Sequence, residues 1–155
     1  MFINTTNSER ESQLTADFRP IKDQLRRMLG LLNGQSDGRF AYAIWWLPDD
    51  AGWPDAPDYE PGEYDLNYLQ AGGTAERMSV DLQTVDGGQM RHFIVGRDHD
   101  VDEPLTESVT VAGTEHARHP AEVFDADEAT ELFFHYYEHR GTVPDGYVLR
   151  PLDLA

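Results

Sequence analysis

The chain contains no cysteine, a single lysine and only 12 basic residues among its 155. The missing cysteines exclude disulfides, thiolate metal sites and cysteine nucleophiles. No apolar run approaches the roughly 18 residues of a membrane-spanning helix, and the first residues lack the basic-then-apolar order of a signal peptide. We therefore expect a cytoplasmic protein that has no membrane partner.

Acidic residues are the most prominent feature of the composition. The 29 Asp and Glu against 12 Lys and Arg give a formal net charge of −17. Such a charge repels nucleic acid and anionic membranes and attracts basic surfaces. Adaptation to salt or a GC-rich genome would produce the same bias without bearing on function, so this interpretation stays open. The one basic stretch contains Arg10, Arg19, Lys22, Arg26, Arg27 and Arg39.

The length favours one domain over residues 1–155, with residues 1–12 flexible, and 39% hydrophobic residues suffice for a core. Helical spacing predicts a first helix closed by Asn33-Gly34. Its inward positions are Phe18, Ile21, Leu25, Met28, Leu29 and Leu32. A second helix is predicted after Asp125, where Glu128 three residues on completes a capping pattern.

Strand patterns occupy most of the chain between the two predicted helices, and one follows the second helix. They cover residues 39–47, 63–70, 76–85, 89–95, 107–112 and 147–152. Strict alternation in 76–85 directs Met78, Val80 and Leu82 inward. The outward positions are Arg77, Ser79, Asp81 and Gln83. This order predicts an α+β fold, with a mainly antiparallel sheet flanked by an N-terminal and a C-terminal helix.

A search for catalytic groups finds weak candidates. His135 and His139 lie four residues apart on the second predicted helix, with Glu131 one turn earlier, so they could bind a metal. Their order differs from HExxH, and a solvated helix flank explains them better. His116 and His119 are equally weak candidates in a loop. We therefore predict no enzyme, no cofactor and no metal site.

Carboxylates cluster in two regions. Residues 98–138 contain twelve acidic residues and one basic residue, Arg118. The segment that begins with residues 98–103 resembles a calcium-binding loop only in its acids, because the glycine and glutamate that such a loop requires are missing. Residues 40–76 contain no Lys or Arg. There Trp53 and Tyr59 could anchor a basic partner, and surrounding carboxylates could steer it. The predicted partner-binding residues are Asp49, Asp50, Trp53, Asp55, Asp58, Tyr59 and Glu60, although a solvated proline-rich loop would have the same composition.

Several segments together carry a resemblance to a known family. They are residues 68–82 with the following Gly-Gly turn, residues 122–129, Tyr136-Tyr137, Gly141-Thr-Val-Pro144 and residues 147–154. Over residues 63–154 the chain resembles the first immunity-protein family of bacterial polymorphic-toxin systems, which includes deaminase inhibitors. None of the matching motifs is catalytic.

The resemblance implies an α+β antitoxin in the producer's cytoplasm that binds and neutralises a cognate toxin domain. The toxin would act on nucleic acid, as a deaminase or a nuclease does, and would be basic, which suits this acidic chain. The alternative is an acidic nucleic-acid mimic that inhibits a basic DNA-binding protein. A metal-dependent hydrolase that uses His135 and His139 and a salt-adapted domain of other function are weaker readings.

Overall fold

A computed structural model describes residues 1–48 and 64–152. Its strands are β1 (Phe2–Thr6), β2 (Arg10–Leu14), β3 (Ala41–Trp46), β4 (Tyr68–Gly73), β5 (Met78–Asp86), β6 (Gln89–Arg97), β7 (Glu107–Val111), β8 (Thr114–Arg118) and β9 (Tyr147–Leu152). The helices are α1 (Ile21–Gly30) and α2 (Ala126–His139). Seven strands form one antiparallel sheet in the order β2-β1-β3-β4-β5-β6-β9, while β7 and β8 pair separately. The predicted α+β class is confirmed.

Both helices cover one side of the large sheet, which we call the helix face. Met78, Val80 and Leu82 of β5 point to this side and are buried, as their alternation predicts. From α2, Leu132 and Phe133 are fully buried against them, and the Phe133 ring stacks on Tyr42 at 5.8 Å. The helix face is therefore the main hydrophobic core.

Helix α2 begins where its capping pattern predicts. The Asp125 carboxylate accepts a hydrogen bond from the Glu128 amide at 2.9 Å, which satisfies one of the free amides of the first turn. The helix ends at Arg140, which adopts a left-handed conformation before Gly141. Local chemistry thus sets both ends of the helix that covers the sheet.

The opposite side of the sheet, which we call the polar face, carries Ser79, Asp81 and Gln83 of β5. The β7–β8 hairpin packs over part of it, where a Cβ built on Gly73 would lie 2.9 Å from Val109 Cγ1. Gly73 also has a φ of +128°, so this position requires glycine for two reasons. Ser79 and Gln83 are buried, although alternation predicted them to face outward. They do point away from the helix face, as predicted, but side chains such as Arg118, which donates to Ser79, cover this side and keep it from solvent.

The N-terminal region differs most from the sequence-based expectation. Residues 2–14 form a β-hairpin in which β1 lies between β2 and β3, whereas the sequence predicted no element there. Phe18, predicted to be core, is 97% exposed, because α1 begins only after Pro20. Strand β4 begins five residues later than predicted, and β8 was not predicted.

Neither of the two helices in the described residues combines the length and the apolar character needed to cross a lipid bilayer.

Candidate functional site

A network of polar side chains runs across the polar face between β5, β6 and the residues that follow β8. Asp81 Oδ2 lies 2.9 Å from His92 Nε2, and the other ring nitrogen of His92 lies 3.1 Å from Gln83 Oε1. Gln83 Oε1 also accepts a hydrogen bond from the Tyr68 hydroxyl. Gln83 is buried and the His92 side chain is only 8% exposed, so the polar atoms of these two residues need hydrogen-bond partners within the protein.

Arg118, at the end of β8, places a cation in the same network. Its Nε donates to the Ser79 hydroxyl at 2.8 Å, and its Nη1 donates to the Ala117 carbonyl. Burial lowers the pKa of Arg118 and the charge of Arg150 acts in the same direction, whereas Asp81 opposes the shift. Arginine nevertheless stays charged in proteins, so this is a buried positive charge.

Glu122 is the fully buried anion of the site. Arg150 of β9 binds it with two hydrogen bonds, Nε to Oε2 at 2.7 Å and Nη2 to Oε1 at 3.0 Å. The His119 amide donates to Oε1 at 2.7 Å. Burial alone would raise the pKa of Glu122, but the hydrogen bonds from Arg150 and His119 outweigh it, and the pKa lies below its usual value. Glu122 is therefore ionised at neutral pH.

His99 and His119 lie beside this carboxylate with their rings 4.7 Å apart. His99 Nε2 is 3.1 Å from His119 Nδ1 and 3.7 Å from Glu122 Oε2, while His119 Nδ1 is 3.4 Å from Glu122 Oε1. The outer nitrogen of each ring contacts a backbone carbonyl: His99 Nδ1 that of Arg97 at 2.6 Å, and His119 Nε2 that of Glu103 at 2.7 Å. We call these three residues the His–Glu cluster.

The local sequence accounts for how the cluster is assembled. Pro120 opens a short 3-10 turn, Pro120–Glu122, which brings the Glu122 side chain back to the His119 amide. Gly96 of β6 leaves room for the His99 ring, because a Cβ at position 96 would lie 2.6 Å from His99 Cε1. A strand glycine and a proline-led turn thus bring together residues that are 20 positions apart.

The His–Glu cluster holds both ends of an exposed acidic loop, which we define as residues 98–105. The Arg97 carbonyl contacts His99 at its start, and the Glu103 carbonyl contacts His119 near its end. Val101 and Leu105 are 37% and 42% exposed there. The loop's exposed carboxylates are Asp98, Asp100, Asp102 and Glu103.

Positive charge concentrates elsewhere, around an open groove of about 1190 Å³ between β2, α1 and residues 36–39. The exposed Phe18 lies at its edge. The arginines that line it are Arg10, Arg19, Arg27 and Arg39. Glu9, Glu11 and Asp37 also line it, so the groove carries a net charge of only +1. A basic partner would therefore be attracted less strongly to this side than to the acidic side of the molecule.

The structure places the sequence-predicted candidates as follows. The predicted partner-binding residues Asp49, Asp50, Trp53, Asp55, Asp58, Tyr59 and Glu60 lie outside the described residues. His135 and His139 stack on the flank of α2, and His139 Nδ1 contacts the His135 carbonyl. Glu131 instead forms an ion pair with Lys22 at 2.6 Å. These three residues do not form a ligand set.

Sequence reasoning missed the His–Glu cluster as a unit. His116 and His119 were predicted to lie in a loop; His116 lies in β8 instead, whereas His119 does lie in a loop but is only 2% exposed, and neither His99 nor Glu122 was considered as a ligand. The sequence does contain one local signal for this cluster. In His119-Pro-Ala-Glu122, an imidazole and a carboxylate lie three residues apart, which corresponds to one 3-10 turn. Within the part of the chain that the structure describes, His99, His119 and Glu122 are the group of three His and acidic side chains that could bind a metal, because one potential ligand atom from each lies within 4.8 Å of the others.

Comparisons of the chain with protein-family models, curated proteins and solved structures find no match.

Proposed function

We propose that this protein is a non-catalytic immunity protein. It binds a basic toxin domain that acts on nucleic acid, such as a deaminase or a nuclease, and neutralises it in the producing cell. The observation that carries this proposal is the acidic loop at residues 98–105, where exposed apolar side chains stand among exposed carboxylates.

The charge of the chain is unevenly distributed. Residues 1–39 contain 6 basic and 5 acidic residues, a net of +1, whereas residues 40–155 contain 6 basic and 24 acidic residues, a net of −18. Several acids outside the acidic loop are already paired, for example Glu107 with Arg77 and Glu128 with Arg97. A basic partner would therefore be steered to the acidic side of the molecule, away from the groove.

The acidic loop combines the two elements that protein interfaces use. Val101 and Leu105 offer apolar area for burial, while the surrounding carboxylates accelerate encounter with a basic surface. Its two contacts with the His–Glu cluster hold the loop in place, which reduces the entropy lost on binding. The predicted anchors Trp53 and Tyr59 would add a second contact surface in the same acidic half of the sequence.

The buried charges support a binding role over a catalytic one. Glu122 accepts three hydrogen bonds from Arg150 and the His119 amide, which hold its carboxylate in place, and Arg118 donates to Ser79 and a carbonyl. A catalytic acid or nucleophile needs a partner on the substrate and access to it. These groups instead have protein partners that stabilise the polar face.

The test is co-expression of the full chain with the C-terminal domain of a secreted protein encoded beside it. We expect restored growth and a stable complex of the two chains by size-exclusion chromatography. The nucleic-acid mimic instead predicts comparable binding to unrelated basic proteins, which histone and a basic nuclease would report. Toxicity that persists although the toxin domain and this chain are both well expressed would overturn the proposal.

Two variants then locate the contact surface. Val101→Ser/Leu105→Ser should speed dissociation of the complex, because buried apolar contacts act mainly on that rate. Met90→Ser removes a similarly exposed side chain, 47% exposed, at the β5–β6 turn and serves as the control. Trp53→Ala tests the sequence-predicted surface in the same assay. If only Trp53→Ala changed the rate, the interface would lie at residues 49–60.

A further inference from the structure

We propose that His99, His119 and Glu122 bind a divalent transition-metal ion of the Zn²⁺ class, which fastens the acidic loop to the sheet. This proposal rests on the described geometry and does not depend on the identity of any protein partner.

The first argument concerns the protons on the two imidazoles. A backbone carbonyl oxygen can only accept a hydrogen bond, so the ring nitrogen that contacts it carries the proton. His99 Nδ1 and His119 Nε2 both contact carbonyls, at 2.6 Å and 2.7 Å. In the neutral rings, His99 Nε2 and His119 Nδ1 therefore present lone pairs.

These two lone pairs face each other at a distance of 3.1 Å. The ionised carboxylate of Glu122 is the third group at the same point, with its oxygens at 3.4 Å and 3.7 Å from the two nitrogens. Two lone pairs and an anion repel one another unless a cation lies between them. A metal ion bound by all three groups would remove this repulsion.

Counting acceptor sites shows that Glu122 has capacity for a metal. A carboxylate offers about four lone-pair sites on its two oxygens. Oε1 accepts from the His119 amide and from Arg150 Nη2, and Oε2 accepts from Arg150 Nε. One site remains on Oε2, the oxygen nearer to His99.

The separations match the edges of a metal coordination shell. Metal–ligand bonds of about 2.0–2.1 Å at tetrahedral angles place ligand atoms about 3.3 Å apart. Here His99 Nε2 lies 3.1 Å from His119 Nδ1 and 3.7 Å from Glu122 Oε2, and one ligand atom from each of the three residues lies within 4.8 Å of the other two. Two imidazoles with one carboxylate suit Zn²⁺ and its transition-metal neighbours, whereas Mg²⁺ and Ca²⁺ prefer oxygen ligands throughout.

The surroundings have the features that support metal ligands. Histidines bound to a metal generally donate their second N–H to a carbonyl or a carboxylate, which sets the ring orientation, and both histidines do so here. Arg150 holds the carboxylate, and Gly96 leaves the space that His99 occupies. Because the two carbonyls belong to Arg97 and Glu103, a bound ion would tie both ends of the acidic loop together.

The test uses the full chain after removal of any His-tag and treatment with a chelator. Calorimetric titration with Zn²⁺ should give one equivalent of tight binding, and Co²⁺ should give the visible absorption bands of a four-coordinate site in which water is the fourth ligand. His99→Ala should reduce the affinity by more than the about 10–100-fold that losing an outer hydrogen-bond partner costs. His119→Ala should do the same.

Two controls separate this site from adventitious binding to a chain with six histidines. His135→Ala/His139→Ala removes the surface pair on α2 and should leave the affinity unchanged. His99 has a side chain only 10% exposed, and His119 is more deeply buried, so circular dichroism must show that the variants fold. The Co²⁺ spectrum of the wild-type protein tests the site without any variant.

Hydrogen exchange gives a readout in the loop itself. Zn²⁺ should slow amide exchange across residues 98–105 and leave the exposed turn at residues 86–88 unchanged. Binding lost equally in the α2 double variant would overturn the proposal. Failure of the stripped wild-type protein to bind one equivalent would also overturn it.

Discussion

At β5, the two faces of the seven-stranded sheet are stabilised in different ways. On the helix face, apolar side chains of β5 such as Val80 pack against α2, and non-directional burial provides the stability. On the polar face, the neighbouring residues Ser79 and Asp81 enter hydrogen bonds with Arg118 and His92. The comparison shows that one strand with ordinary alternation can serve a hydrophobic core on one side and a buried polar network on the other.

The difference has a functional consequence. An apolar core tolerates exchange among side chains of similar volume, whereas a buried polar network depends on each partner. The network includes the cluster that holds the acidic loop, so the polar face links the fold to the proposed binding surface. The helix face should therefore govern stability, and the polar face should govern both stability and the loop.

The largest expected effect is on the helix face. Phe133→Ala removes a fully buried ring and should lower the free energy of unfolding by about 3–5 kcal/mol, as measured by denaturant titration. Phe134→Ala on the same helix removes a half-buried ring and is the control, with a smaller loss. Equal losses in the two variants would contradict the assignment of the main core.

The second prediction compares a buried and an exposed Arg–Glu pair. Arg150→Met leaves the buried Glu122 without its cation and should cost about 3 kcal/mol. Arg77→Met breaks the pair with Glu107, whose side chain is 40% exposed, and should cost at most about 1 kcal/mol. Thermal and denaturant unfolding measure both. Similar costs for the two variants would mean that the polar face is not a distinct buried network.

The third prediction tests the fit at the base of the acidic loop. Gly96→Ala places a methyl group against His99 and should cost about 1–3 kcal/mol by overpacking. It should also speed amide exchange across residues 98–105. In a His99→Ala background the same substitution should cost less, because the clashing ring is gone. An unchanged cost in that background would show that His99 is not the neighbour that resists the methyl group.

The sequence predicted those parts of the fold that local patterns encode. The Asp125 cap and the inward residues of β5 follow from residue spacing, and the terminal strand β9 was predicted beyond Pro144, which blocks the helix. All three predictions are confirmed. The helix at Phe18 was predicted too long, because apolar spacing continues before Pro20 while the backbone does not. The periodic patterns therefore predicted which face of a helix or strand is buried more accurately than they predicted where the element begins.

Burial of the polar face could not be predicted in the same way. Alternation shows that two faces of a strand differ, but it does not show whether the second face is covered. The cover comes from distant residues: Arg118 reaches Ser79 across 39 positions, and Arg150 reaches Glu122 across 28. Such pairings depend on the strand order, which no local pattern encodes.

The most direct measurement of the central claim is the association rate of the toxin domain with this chain at several salt concentrations. Asp98→Asn/Asp102→Asn/Glu103→Gln neutralises the acidic loop, and Asp37→Asn/Glu76→Gln/Asp86→Asn removes the same charge at exposed positions elsewhere. We predict that the loop variant slows association about tenfold or more at low salt, that this difference shrinks as salt screens it, and that the control variant changes the rate much less. Equal rates for the two variants at every salt concentration would contradict the claim that the acidic loop receives the partner.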